Sequence, residues 1–185
     1  MNAKMISGIL SLTGALVFAP VAQAADAAAA EALAKKEGCL KCHAVDKKKE
    51  AASLKSIAKK YAGKADRVLV DAPCSGLGVL RHKIDLRWRK NPSDLRTLPA
   101  LQRRILDSAS QCVRPGGILV YSTCTMNDDE NSRIVAAFLK NHPEFHVENA
   151  TQWLPVPGHE GPFIQLLPQR DGLDGFFIAR MKKEG

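Results

Sequence analysis

The chain has 185 residues, of which 45% are hydrophobic and 25% are charged, and its formal net charge is +8. This length holds one ordinary domain, or one small domain with a fragment of another, and excludes several complete domains. The basic balance favours an anionic partner. Lysine alone carries the positive charge over residues 26–66, whereas arginine predominates afterwards. The change near Asp66 marks a boundary between two segments.

Residues 1–24 have the pattern of a secretory signal peptide. Lys4 precedes a mostly apolar stretch, and Ala22-Gln23-Ala24 fits the small-x-small cleavage pattern. Glycine and proline interrupt the stretch, so cleavage is favoured over a membrane anchor, and we expect no stable membrane span afterwards. Export would place the mature chain in the oxidising periplasm.

A five-residue motif, Cys39-Leu40-Lys41-Cys42-His43, follows an alanine-rich segment that favours a helix. Two thiols at this spacing add to the two vinyl groups of haem, and the adjacent histidine becomes an axial ligand of the iron. A zinc half-site or a redox pair uses the same cysteine spacing. No second pair of zinc ligands lies nearby, so we favour covalent haem c on Cys39 and Cys42, with His43 as the iron ligand.

Residues 25–65 resemble the N-terminal part of small bacterial class I cytochromes c. The resemblance rests on the alanine-rich helix, the haem motif, the lysine-rich loop after it and the segment from Ser53 to Tyr61. It implies a small α-helical fragment that would exchange electrons with a redox partner. Such proteins usually take a downstream methionine as second iron ligand, and the sequence has none between Met5 and Met126. The cytochrome-like segment is therefore truncated.

Strand and helix patterns alternate after the boundary. Residues 67–70 are β-branched and apolar, and Pro73 and the glycines after it end this strand in a loop. Apolar spacing predicts a helix over about residues 98–113, with Cys112 as a core residue. The apolar positions of that helix are Leu101, Ile105 and Ala109.

Residues 118–121 form a second strand, and Asp128-Asp129-Glu130 opens a second helix with acids at its N-terminus. The order predicts two parallel strands joined by a crossover. Residues 163–167 and 175–179 flank a turn and predict an antiparallel hairpin. The predicted fold class is α/β: a partial Rossmann-like sheet of late strands with a C-terminal hairpin, behind the cytochrome-like fragment.

One cysteine motif follows each of the two predicted strands. Asp71-Ala72-Pro73-Cys74 follows the first, and Ser122-Thr123-Cys124 follows the second. Ligands in such folds bind at the carboxyl ends of the strands. The alternative is that both cysteines are buried apolar residues, which is common for cysteine. The neighbouring Asp71 and Pro73 favour a functional pair.

Residues 66–185 resemble the C-terminal half of the catalytic domain of Sun-type RNA 5-methylcytosine methyltransferases. The resemblance implies methylation of cytosine carbon 5 in ribosomal RNA with S-adenosylmethionine, which is a cytoplasmic activity. The motifs that carry it are Asp71 to Gly76, the basic run from Arg81 to Lys90, Arg114 to Gly117, Tyr121 to Thr125, Glu130-Asn131, Arg170 to Gly172 and Asp174 to Phe177.

The resemblance also implies a role for each site residue. Cys124 would be the nucleophile that adds to carbon 6 of cytosine and so activates carbon 5. Cys74 would assist release of the carbon 5 proton, and Asp71 would hold the cytosine and border S-adenosylmethionine. An RNA-contacting loop, for which a solvated surface loop is the alternative, would use Arg81, Lys83, Arg87, Trp88, Arg89 and Lys90.

In this family the methyl donor binds a glycine-rich loop and an acid on the first strands, and nothing before Asp71 supplies either feature. We therefore predict a fused sequence whose methyl transfer is weak or absent. Two alternatives stay open: a periplasmic c-type haem protein in electron transfer, and a non-enzymatic RNA-binding module.

Overall fold

The computed structural model describes residues 54–185. Its elements in chain order are α1 (Leu54–Tyr61), β1 (Ala65–Asp71), α2 (Leu86–Arg89), α3 (Asp94–Ser110), β2 (Val113–Thr123), α4 (Ser132–Asn141), β3 (Phe145–Glu148), β4 (Phe163–Gln165), α5 (Pro168–Asp171) and β5 (Phe177–Lys183), with 3-10 turns at Asp128–Glu130 and Ala150–Gln152. Within this part of the chain, no helix combines the length and the apolar character that crossing a membrane requires.

The strands form one mixed sheet in the order β1-β2-β5-β3, and β4 pairs with the first half of β5. β1 and β2 are parallel and set Asp71 opposite Ser122, so both strands end at the same edge of the sheet. β5 runs antiparallel to β2, β3 and β4. The predicted mixed α/β fold, with its parallel pair and C-terminal hairpin, is therefore confirmed.

Alternating burial along β5 shows where the core lies. Phe177, Ala179 and Met181 are buried, which is the period of two expected of a strand with one covered face. Side chains of α3 and α4 join them in one core cluster, among them Leu106 and Phe138. Burying each large apolar side chain contributes roughly 1.5–3 kcal/mol, so this cluster holds the helices on the sheet.

β1 is the edge strand of the sheet within residues 54–185. Val70 is buried, whereas Leu69 on the opposite face of the strand is 68% exposed. The outer side of β1 is therefore unpaired within the described residues. The open edge adjoins the strand end that carries Asp71.

Helix α3 differs from its prediction in bounds and in orientation. It spans Asp94–Ser110 rather than residues 98–113, because the chain leaves the helix to begin pairing with β1. The Cys112 carbonyl accepts a hydrogen bond of 2.9 Å from the Ala65 N–H. Cys112 is half-buried in this turn, so its prediction as a helical core residue is wrong.

The buried stripe of α3 lies one position away from the predicted one. Its fully buried members are Pro99, Gln102, Leu106 and Ser110. Ile105 and Ala109 pack beside the core as partly buried residues. The centre of the buried helix face is therefore occupied by a polar residue, Gln102, which a search for apolar spacing does not identify.

Two further differences concern the second half of the chain. Asp128–Glu130 is a 3-10 turn, and α4 begins only at Ser132. Glu130 is fully buried, so it does not serve as an exposed acid at a helix N-terminus. The short strand β3 has no counterpart in the prediction, because four residues give too little alternation to detect.

Candidate active site with two thiols

The structure brings Cys74 and Cys124 together at the edge where β1 and β2 end. Their Sγ atoms lie 3.2 Å apart, and both residues are half-buried. The parallel pairing explains the approach, since Cys74 follows the end of β1 by three residues and Cys124 directly follows the end of β2. The thiols therefore share one site although 50 residues separate them in the sequence.

A cavity of about 410 Å³ opens at the thiols, and Asp71, Lys83 and Lys90 contribute to its lining. Its volume falls in the range of pockets for one small ligand. Asp71 is exposed, and its Oδ1 accepts a hydrogen bond of 3.2 Å from Ser122 Oγ. The Lys90 ammonium donates to the Cys74 carbonyl at 3.1 Å. Two thiols, one carboxylate and two lysine side chains thus line one small cavity.

The two thiols have opposite acidities. The hydrogen bond from Cys74 lowers the pKa of Cys124 to about 7, with help from the Lys83 charge and against burial and the charge of Asp71. The same hydrogen bond, followed by burial, raises the pKa of Cys74 above its ordinary range. Of the two thiols, Cys124 therefore ionises first, and Cys74 donates the hydrogen bond to its thiolate.

A close backbone contact closes the loop that carries Cys74. The Gly78 N–H donates to the Cys124 carbonyl at 3.0 Å, and the Gly78 carbonyl accepts from the Gly175 N–H at 2.8 Å. A Cβ atom on Gly78 would lie 2.0 Å from the Gly175 carbonyl oxygen. Glycine is therefore required at this position by space, since Gly78 has no left-handed φ angle.

Three buried polar residues support the site, and the sequence indicated no role for any of them: Gln102, Glu130 and Asn131. Asn131 Nδ2 donates to the Thr125 carbonyl at 3.0 Å and to Gln165 Oε1 at 2.9 Å. Glu130-Asn131 belongs to the motifs that resemble the methyltransferases, and this was the one signal that marked them. Gln102 and Glu130 form hydrogen bonds to the loop of Cys74, far away in the sequence, so local hydropathy does not reveal them.

The basic loop, residues 81–90, contains side chains with different contacts. Arg81 forms an ion pair of 2.7 Å with Asp174 and also donates to the Gly172 carbonyl, so it braces the turn before β5. Lys83 and Lys90 line the thiol cavity. The predicted RNA-contacting set therefore does not form one uniform surface.

Helix α2 presents the exposed part of the loop. Trp88 is 87% exposed, although it is a large hydrophobic residue. Arg87 is exposed beside it, and Arg89 forms an exposed ion pair of 3.2 Å with Asp85. An exposed indole flanked by arginines is the arrangement expected for stacking on a base.

The haem-attachment residues Cys39, Cys42 and His43 lie outside the described residues, as does the signal peptide at residues 1–24. Export, covalent haem and a redox partner stay predictions from the sequence.

Comparison with known proteins places the described fold in a family. The model of the family described as 16S rRNA methyltransferase RsmB/F matches residues 15–182. The match begins well before Asp66, so it overlaps the segment that the sequence assigns to export and haem attachment. Two known relatives and one solved structure are also similar to this chain.

The probable ribosomal RNA small subunit methyltransferase B of Bacillus subtilis is 44% identical over 125 residues, which is 65% of this chain and 28% of that protein. Ribosomal RNA small subunit methyltransferase B of Thermus thermophilus is 42% identical over 120 residues, which is 65% of this chain and 30% of that protein. This chain therefore spans less than a third of the length of these relatives.

A solved structure has the same fold. NSun6 from Pyrococcus horikoshii, solved with SFG, has a TM-score of 0.60 and 27% sequence identity, and the likeness covers 84% of this chain and 38% of that chain. With the family match over residues 15–182, these likenesses identify the chain as a member of the 16S rRNA methyltransferase RsmB/F family.

Proposed function

We propose that this chain carries the cytosine-reacting part of an S-adenosylmethionine-dependent RNA methyltransferase. Its product is 5-methylcytosine in ribosomal RNA, formed through a covalent adduct with Cys124. The observation that carries the proposal is the distance of 3.2 Å between the sulfur atoms of Cys74 and Cys124. The hydrogen bond between them lowers the pKa of the Cys124 thiol and raises the pKa of the Cys74 thiol. A structural pair of buried cysteines would not need a cavity in front of it that Asp71, Lys83 and Lys90 also line.

In the first step, the Cys124 thiolate adds to carbon 6 of cytosine. A carbon–sulfur bond forms, and the electron pair of the carbon 5–carbon 6 double bond makes carbon 5 nucleophilic. S-adenosylmethionine, when bound, would supply the methyl group to carbon 5: its sulfur–methyl bond breaks and S-adenosylhomocysteine leaves. Asp71, exposed at the mouth of the cavity, accepts a hydrogen bond from the cytosine amino group and orients the ring.

In the second step, the proton on carbon 5 leaves, the ring double bond re-forms and the carbon–sulfur bond to Cys124 breaks. Bonding to carbon 6 removes the negative charge from the Cys124 sulfur, and with it the hydrogen bond that raises the pKa of Cys74 most. With that hydrogen bond lost, the Cys74 thiol gives up its own proton to water, and the resulting Cys74 thiolate takes the proton from carbon 5. When Cys124 departs as a thiolate, the Cys74 thiol donates to it again.

The described residues fit the cytosine more completely than they fit the methyl donor. The cavity of about 410 Å³ suits one small ligand, whereas the reaction needs two. Asp71 and the open edge of β1 are the features that border the expected donor position. No glycine-rich loop precedes Asp71 in the sequence. We therefore propose that the chain by itself transfers methyl groups weakly.

Methyl transfer tests this proposal directly. We expect slow incorporation of label from radiolabelled S-adenosylmethionine into unmodified small-subunit rRNA, at a chain concentration above that of the RNA, and none with Cys124→Ala. Cys112→Ala is the matched control, because this thiol is also half-buried but lies in the α3–β2 turn. Equal incorporation by the wild type and Cys124→Ala would refute the proposed chemistry. Rapid multiple turnover would refute the proposal that the chain by itself transfers methyl groups weakly.

RNA binding through α2 gives a separate prediction. Trp88→Ala removes a stacking platform, so we expect single-stranded RNA to bind about 1–3 kcal/mol more weakly. Trp153→Ala is the control, because Trp153 is also exposed, at 62%, but its ring lies over Arg180 at 4.1 Å instead of in the basic loop. Fluorescence anisotropy at fixed salt measures both. Equal losses of RNA affinity in the two variants would show that α2 does not contact the RNA.

A further inference from the structure

A buried polar network lies beneath the two thiols. Its central residue, Glu130, is fully buried and does not line the thiol cavity. The Glu130 Oε2 atom accepts the Ser75 backbone N–H at 2.8 Å, and Oε1 accepts Asn127 Nδ2 at 3.1 Å. The carboxyl group therefore holds the residue that directly follows Cys74.

Gln102 holds the residue on the other side of Cys74. Its Nε2 donates to the Pro73 carbonyl at 2.9 Å and to Glu130 Oε2 at 3.0 Å. Gln102 is fully buried in the centre of the α3 face. The peptide groups before and after Cys74 are thus both fixed by these two side chains, which come from different parts of the chain.

The network also reaches the segment of Cys124. Ser75 Oγ and Thr125 Oγ1 share a hydrogen bond of 2.8 Å, which joins the residue after Cys74 to the residue after Cys124. Both side chains are buried. A displacement of the Ser75 peptide would therefore change the position of one cysteine relative to the other.

We infer that Glu130 and Gln102 are positioning residues that fix the distance between the Cys74 and Cys124 sulfur atoms and thereby set the reactivity of Cys124. Neither side chain contacts a thiol, so both act through the backbone of residues 73–75. The consequence for catalysis rests on the proposed function. The consequence for thiol chemistry does not, because it is a property of the protein without RNA or methyl donor.

Glu130→Leu removes the acceptor for the Ser75 N–H while keeping a side chain of similar size. The Cys74 loop then relaxes, and Cys124 loses part of the hydrogen bond that makes it acidic. We expect the midpoint of its alkylation rate against pH to rise from about 7 toward the ordinary value of about 8.5. At pH 7 the rate would then fall by about tenfold.

The experiment measures iodoacetamide alkylation of the full 185-residue chain between pH 5.5 and 9.5, with Cys124 followed by peptide mass spectrometry. Gln102→Met, which removes the donor to Pro73, should shift the midpoint in the same direction. Glu130→Gln keeps one oxygen for the Ser75 N–H and should stay near the wild type. The charged groups that face the thiols, Asp71, Lys83 and Lys90, are unchanged in every variant.

Tyr121→Phe is the control for a loss of stability without loss of positioning. The Tyr121 hydroxyl donates to the Glu130 backbone carbonyl at 2.7 Å, so this variant weakens the same region but leaves the Glu130 carboxyl in place. Its thermal midpoint should fall while its alkylation midpoint stays at the wild-type value.

An unchanged alkylation midpoint in folded Glu130→Leu and Gln102→Met would overturn the inference. If Glu130→Leu does not fold, Gln102→Met alone decides. Loss of the fold in both variants would also overturn it, because a purely structural role would then explain the network. A wild-type chain that forms no covalent complex with 5-azacytosine RNA through Cys124 would count against the proposed function and leave the alkylation result standing.

Discussion

A Cys74→Ala variant is expected to accumulate on RNA as a covalent complex that survives denaturing electrophoresis, whereas Cys124→Ala should form none. Cys124 makes the bond to carbon 6, so its thiol is required for any complex. Cys74 assists removal of the carbon 5 proton, without which the bond cannot break. Loss of such an acid–base group slows its step by roughly 10²-fold or more, which is enough for the complex to persist.

The assay should be run near pH 8.5 with S-adenosylmethionine and RNA that contains ordinary cytosine, because Cys74 acts on the carbon 5 proton and the substrate must carry one. Cys74→Ala removes the hydrogen bond that lowers the pKa of Cys124, so at pH 7 the first step would slow as well. At the higher pH the thiolate is present in both proteins. A complex that forms with Cys124→Ala but not with Cys74→Ala would reverse the assigned roles.

Gly78→Ala should give the largest loss of stability from a single added methyl group. The new Cβ would lie 2.0 Å from the Gly175 carbonyl oxygen and 2.6 Å from its carbon, and backbone atoms cannot move aside as a flexible side chain can. We expect the free energy of unfolding to fall by about 3 kcal/mol, the upper end of overpacking effects. Urea titration followed by circular dichroism measures the change.

Gly172→Ala separates this clash from the ordinary cost of replacing glycine. Gly172 has φ of +66° and open space around its Cβ position. Only backbone strain should appear there, and it costs about 1 kcal/mol. If Gly78→Ala proves no more destabilising than Gly172→Ala, the conclusion that the Cys74 loop packs tightly against residue 175 is wrong.

The sequence predicted the parts of the fold that depend on local pattern and chain order. Apolar β-branched residues mark β1 and the end of β2, and the helix between them makes the strands parallel. Parallel strands place Cys74 and Cys124 at the same edge of the sheet, so this proximity can be predicted from the sequence. The C-terminal hairpin follows from two apolar runs around a turn that contains Gly172.

The sequence did not predict features that depend on partners far away in the chain. Gln102 and Glu130 have the polarity of surface residues, yet both are buried, where they form hydrogen bonds to the peptide groups beside Cys74. Cys112 was assigned to a helix that ends two residues earlier, since pairing with Ala65 begins there. Arg81 resembled an RNA contact, yet Asp174 holds it. In each case a tertiary hydrogen bond overrides the local pattern.

The most direct measurement is the identity of the residue that becomes joined to cytosine. The wild-type chain, incubated with 5-azacytosine RNA, digested with protease and nuclease and examined by tandem mass spectrometry, should carry the nucleotide on the sulfur of Cys124. A nucleotide on Cys74, or on neither member of the pair, would contradict Cys124 as the nucleophile.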